Sequence, residues 1–84
     1  MKFTYKTSGV CSRSIDIEIE NDIVKNVTFS GGCNGNTKGI GALVNGMKTD
    51  DVISRLENIK CGFKDTSCPA QLANALKAYK NGQV

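Results

Sequence analysis

Ile15, Ile17 and Ile19 alternate with Ser14, Asp16, Glu18 and Glu20, and a strict period of two admits only an extended strand with one apolar face. Asn21-Asp22 follows, two residues that tolerate the positive φ of a two-residue hairpin turn. The run Ile23 to Phe29 is then rich in β-branched and aromatic residues. The segment reads as a hairpin turning at Asn21-Asp22. Its register is pinned, because a slip of one residue would carry every isoleucine to the solvent face. Upstream, Phe3 and Tyr5 alternate with Lys2, Thr4 and Lys6, which predicts a short first strand.

Downstream the period changes. Ser30-Gly31-Gly32-Cys33-Asn34-Gly35-Asn36 ends the third strand, and its glycines and asparagines call for special backbone angles rather than regular structure. Ile40, Leu43, Val44 and Met47 recur at helical spacing and predict a first helix with these four as its buried face. Gly46 with Met47-Lys48 marks its stop, and Gly39 and Gly41 weaken its first turn. Thr49 is placed to cap a second helix, Asp50 and Asp51 sit at the positive end of its dipole, and Val52, Ile53, Leu56 and Ile59 supply its apolar stripe. Pro69, the single proline, suits the first position of a third helix, which puts Cys68 at the N-cap. Leu72, Ala73, Leu76 and Tyr79 form that helix's apolar face, and it runs out near Asn81-Gly82. Three strands followed by three helices indicate an α+β fold, with the helices packed on one face of a three-stranded antiparallel sheet. No linker or repeat divides the chain, so residues 1–84 are read as a single domain.

A chain of 84 residues buries roughly 60 to 65% of its unfolded surface, and its core leaves little stability to spare. A covalent or metal staple would help. The N-terminus holds no apolar run that could serve as a signal sequence, and nowhere do about 18 apolar residues follow one another, so a soluble cytoplasmic chain without membrane partners is expected. The net charge of +3 comes from eleven basic residues scattered singly among only five aromatics, which argues against a nucleic-acid partner. Histidine is absent. That removes the commonest general base, any Cys/His dyad and any mixed Cys/His zinc site, and a self-sufficient hydrolase is not expected.

The chemistry-bearing residues are four cysteines. Cys11 falls between strands one and two, Cys33 between strand three and helix one, Cys61 just after helix two, and Cys68 at the start of helix three. In a reducing compartment they are metal ligands or redox thiols rather than two structural disulfides. Cysteines acting as small core hydrophobes would sit within the apolar stripes, and none does. The spacing C-x21-C-x27-C-x6-C matches no short zinc-ribbon or finger signature. Glycines near Cys11, Cys33 and Cys61, and the helix start at Cys68, nevertheless let backbone N–H groups approach the sulfurs. If all four thiolates met one ion, tetrahedral zinc with sulfurs at ~2.3 Å would be the natural occupant, and a closed site of that kind is structural. Arg13, Lys38, Lys60 and Lys64 lie close in sequence and either offset the site's charge or form a solvated surface. Gly31 to Asn36 lacks both the Lys-Ser/Thr of a P-loop and the dinucleotide fingerprint, so it reads as a tight turn that aims Cys33 rather than an anion cradle.

Taken together, Gly9-Val10-Cys11, Gly31-Gly32-Cys33-Asn34-Gly35-Asn36, Cys61-Gly62 and Thr66-Ser67-Cys68-Pro69-Ala70-Gln71-Leu72-Ala73 resemble the TSCPD-domain family, specifically its small stand-alone four-cysteine members. The resemblance covers nearly the whole chain. The chain departs from the pattern at Ala70, where the name-giving motif has aspartate, so no role of that carboxylate carries over. Related domains are similar to the C-terminal region of adenosylcobalamin-dependent ribonucleotide reductases, which implies the label ribonucleoside-diphosphate reductase. Ribonucleotide reduction needs a large barrel that generates a thiyl radical and holds a nucleotide, so the isolated chain is not expected to be catalytic. In such reductases C-terminal cysteines can re-reduce the active site. The resemblance therefore suggests a thiol/disulfide shuttle of Cys61 and Cys68 serving a larger reductase.

The order of elements and cysteines also resembles the U-type iron–sulfur scaffold proteins, whose three cysteines match Cys11, Cys33 and Cys68. The scaffold's Cys-Gly-Asp is here Cys11-Ser12-Arg13, so Cys61 would replace the missing aspartate ligand. These readings converge on a small metal-binding domain with Cys11, Cys33, Cys61 and Cys68 as ligands. Zinc is the favoured metal and an iron–sulfur cluster the alternative. A thiol/disulfide accessory to a reductase comes next, and a non-catalytic module that binds a larger enzyme third.

Overall fold

Both residues of the hairpin turn adopt the expected left-handed backbone, Asn21 with φ 52° and Asp22 with φ 65°. This computed structural model describes residues 1–10, 12–31, 34–59 and 66–83, with the backbone alone for residues 34–36. The elements are β1 (Lys2–Lys6), β2 (Ser12–Glu20), β3 (Ile23–Gly31), α1 (Asn34–Val44), α2 (Thr49–Leu56) and α3 (Cys68–Lys80). The strands form an antiparallel sheet in the order β1-β2-β3. Phe3 and Tyr5 pair with Ile17 and Ile15, which pair in turn with Val27 and Phe29. Apolar residues thus stack in rows across one face. The opposite face carries Lys2, Thr4, Asp16 and Glu18, with Thr4 Oγ1 donating to Asp16 Oδ1 at 2.6 Å.

The β2–β3 ladder slips twice, between Ser12 and Ser14 and between Glu18 and Ile19. In the pairing, Arg13 is the extra residue at the first bulge and Lys25 at the second. The second bulge lets Val24 and Val27, three residues apart, both face the core, where they are buried. The first turns Ser12 inward. Strict alternation with Ile15 would have buried position 13, yet Ser12 is 3% exposed while Arg13 faces solvent.

Helix α3 lies over the apolar face and buries Leu72, Ala75 and Leu76 in one cluster with Ile15, Ile17, Ile19, Val24, Val44 and Val52. Tyr79 stacks on Phe3 with ring centroids 6.4 Å apart. Helix α1 packs on β3 and α2 on α3. Gly46, at φ 87°, ends the passage out of α1, and its N–H donates to the Val24 carbonyl while Val24 N–H donates to Met47. The hairpin turn is tied to the helices by a polar latch. Thr49 Oγ1 donates to Asp22 Oδ1 at 2.8 Å, and Lys80 bridges Asp22 and Asp50, both at 3.2 Å.

Four expectations for α1 and α2 change. Leu43 is 77% exposed, because α1 meets the sheet through Thr37, Gly41 and Val44, and Leu43 lies on the far side of the helix from Gly41. Ile59 is 41% exposed and beyond the end of α2. Asn34 to Asn36 belong to α1 rather than to the irregular segment before it. Lys48, not Thr49, occupies the N-cap position of α2, and the Thr49 hydroxyl is spent on Asp22.

Candidate functional site

At the end of the sheet away from the hairpin turn, the loop before β2 and the loop before α3 are stitched together by buried polar groups. Five polar side chains are buried among the described residues, and three of them, Ser12, Ser67 and Gln71, lie here. Burial of a hydroxyl or amide is costly unless its hydrogen bonds are met, and each of the three is met.

Helix α3 opens with Cys68 as its first residue and Ser67 as its N-cap, one residue earlier than proline placement alone suggests. Ser67 has the extended backbone of a cap, and its Oγ accepts from Ala70 N–H at 3.1 Å. The same hydroxyl donates to the Ile59 carbonyl at 2.7 Å, pinning the chain two residues before Cys61 to the residue beside Cys68. Ala70 lacks the carboxylate that would return a hydrogen bond to the cap, so only half of a capping box is present.

One turn into α3, Gln71 clamps two loops. Its Nε2 donates to Thr66 Oγ1 at 3.0 Å, and its Oε1 accepts from Ser8 N–H at 3.2 Å. The loop before β2 is closed on itself, with Thr7 Oγ1 donating to the Ser12 carbonyl at 2.6 Å and Thr7 N–H to Arg13. Gly9, at φ 72°, passes close to Thr66, whose methyl would lie 3.4 Å from a side chain there. Ser12, turned inward by the Arg13 bulge, brings its Oγ to 3.3 Å from Cys68 Sγ. Its cross-strand partner is Gly31, at φ 83°, two residues before Cys33.

Of the four cysteines proposed from sequence, Cys68 is described, a half-buried free thiol at the positive end of α3. Cys11, Cys33 and Cys61 lie outside the described residues. Accordingly no cluster of three or more His, Cys, Asp or Glu that could hold a metal occurs among the described residues. Sequence reasoning missed Ser12, Ser67 and Gln71 as framing groups. A serine directly before Cys68-Pro69 is itself an N-cap signal, whereas nothing local announces Ser12 or Gln71. Among the described residues no helix is long and apolar enough to cross a membrane.

In comparison with known proteins, the family model of the TSCPD domain matches residues 3–80. No curated protein and no solved structure matches the chain.

Proposed function

This chain belongs to the TSCPD-domain family, and we propose on that premise that it is a metal-binding domain in which Cys11, Cys33, Cys61 and Cys68 hold one ion, zinc before an iron–sulfur cluster. One observation carries the reading. Every cysteine lies within two residues of a small group of residues that touch one another. Ser12 follows Cys11, pairs with Gly31 two residues before Cys33, and reaches the sulfur of Cys68. Ile59, two residues before Cys61, is held by Ser67, the neighbour of Cys68. Two residues of chain span at most about 7 Å, so the described frame leaves four sulfurs free to reach a common ion.

The donor set suits zinc. Four thiolates are soft ligands that favour zinc or an iron–sulfur cluster, and with no histidine in the chain no imidazole competes with them for the ion. When bound, a zinc ion with four thiolates is structural, and on the order of 10 kcal/mol of its binding energy would count toward folding. The chain's own groups would orient the ligands. Ser67 starts the helix that carries Cys68, Gln71 ties the approach to Cys11 to the approach to Cys68, and Gly31 allows the backbone to turn toward Cys33. A cytoplasmic setting, where thiols stay reduced, belongs to the same proposal. So does a larger protein partner, a reductase being the one the family suggests.

Metal analysis of protein purified without chelator tests the reading. About one equivalent of zinc or iron is expected, with four thiols becoming titratable on chelation. Far less metal with four freely reacting thiols refutes it. Metal-free protein in which Cys61 and Cys68 interconvert between dithiol and disulfide, passing two electrons and two protons to an acceptor disulfide, favours the reductase accessory instead.

A further inference from the structure

The Ser12 hydroxyl has one hydrogen and, among the described residues, one partner for it: the sulfur of Cys68 at 3.3 Å. Ser12 is 3% exposed, so water does not compete for that hydrogen. The strand would present Ser12 to solvent were it not for the bulge at Arg13, which inverts the facing of this residue. We propose that Ser12 is a positioning residue of the cysteine site, donating its hydroxyl hydrogen to the Cys68 thiolate and so fixing the direction in which that sulfur offers its remaining lone pairs. The inference rests on the metal reading above. A thiol can act as donor or acceptor toward a hydroxyl, but a ligating thiolate has no hydrogen left, and then only the serine can donate. Charge-assisted hydrogen bonds are about twice as strong as neutral ones, and such outer-shell donors both orient a ligand and withdraw electron density from it. Burial keeps the geometry from relaxing into water. Bulges are concentrated beside functional sites because they re-aim a side chain, and here the re-aimed side chain is the donor.

The test compares Ser12→Ala, Ser12→Thr and Ser12→Val, the last two having the same shape and differing in the hydroxyl. Zinc affinity is measured by chelator competition, and cobalt(II)-loaded protein is read by its sulfur-to-metal charge-transfer absorption. Ser12→Ala and Ser12→Val are expected to bind zinc about tenfold more weakly than the native chain, the lower end of what outer-shell substitutions cost. Their charge-transfer band should move to lower energy, because a sulfur without its hydrogen bond is more easily oxidised. Ser12→Thr should restore both. A packing defect alone would not separate Ser12→Thr from Ser12→Val, and that pair decides the matter even where Ser12→Ala fails to fold. Native and Ser12→Val proteins with affinities within about twofold and identical cobalt spectra overturn the assignment of Ser12 while leaving the metal reading standing. A native chain that binds neither zinc nor cobalt overturns both.

Discussion

Two glycines of α1, two residues apart, should respond to alanine with opposite signs. A side chain at Gly39 meets nothing within 4 Å, whereas a Cβ at Gly41 would lie 2.8 Å from the backbone carbonyl oxygen of Val27. Helix interiors favour alanine over glycine by about 0.8 to 1 kcal/mol, and both positions carry that term. Gly39→Ala should therefore stabilise the protein by about 0.5 to 1 kcal/mol. At Gly41 the contact is with backbone, which cannot rotate away, so α1 must lift from β3. Overpacking of this kind costs about 1 to 3 kcal/mol. The difference between the two variants isolates the steric cost, since helix propensity cancels. A difference of about 2 kcal/mol in a domain this size corresponds to roughly 8 to 16 °C in Tm. Urea denaturation followed by circular dichroism, with the metal content held fixed, measures both. Gly41→Ala matching Gly39→Ala within error would refute the close approach of α1 to Val27.

Two further outcomes follow from the two polar ends of the sheet. The Thr49 hydroxyl first and Lys80 second hold the Asp22 carboxyl below its ordinary range, while Asp22 and then Asp50 hold the Lys80 ammonium above its own. For a carboxylate lowered on folding, the stabilisation is present above the unfolded pKa and is lost as pH falls through the folded one, below about pH 4. For the raised lysine it is present below about pH 10.5 and lost above. Asp22→Asn, which keeps the turn's positive φ tolerable, should flatten the acid limb of stability between about pH 2 and 5. Parallel limbs for native and variant protein would contradict it. At the other end, Ser67→Ala removes the cap of α3 and frees the Ile59 carbonyl, and should cost about 1 to 2 kcal/mol in denaturant unfolding. A loss under about 0.5 kcal/mol would mean that the cap is replaced by another donor and acceptor.

The sheet and α3 were legible because their apolar residues repeat with a clean period, Ile15, Ile17 and Ile19 on one strand and Leu72, Ala73 and Leu76 on the helix. Periodicity failed where the closest contact is made by a residue with no side chain. Gly41 brings the backbone of α1 against Val27, so of the predicted face Ile40, Val44 and Met47 pack on the core while Leu43 is turned out to solvent. Pro69 placed the start of α3 within one residue, but proline at the second helical position rather than the first shifted the cap from Cys68 to Ser67. The frame around Cys68 was the least readable part. Gln71 clamps Ser8 across 63 residues, and Ser12 reaches Cys68 across 56, contacts that no local pattern encodes.

The extra residues at the two bulges are Arg13 and Lys25, and both face solvent. Each interrupts an alternation that would otherwise have carried a full positive charge into an apolar interior, which costs more than one unpaired rung of the ladder. These cations act by exclusion: refused by the core, they shift the phase of the strand by one residue at each end of the hairpin. An aliphatic residue at position 13 would extend the series Ile15, Ile17, Ile19 without a break, and the strand would then lose its reason to turn Ser12 inward. The facing of Ser12 toward Cys68 is thereby set by a side chain that points away from both.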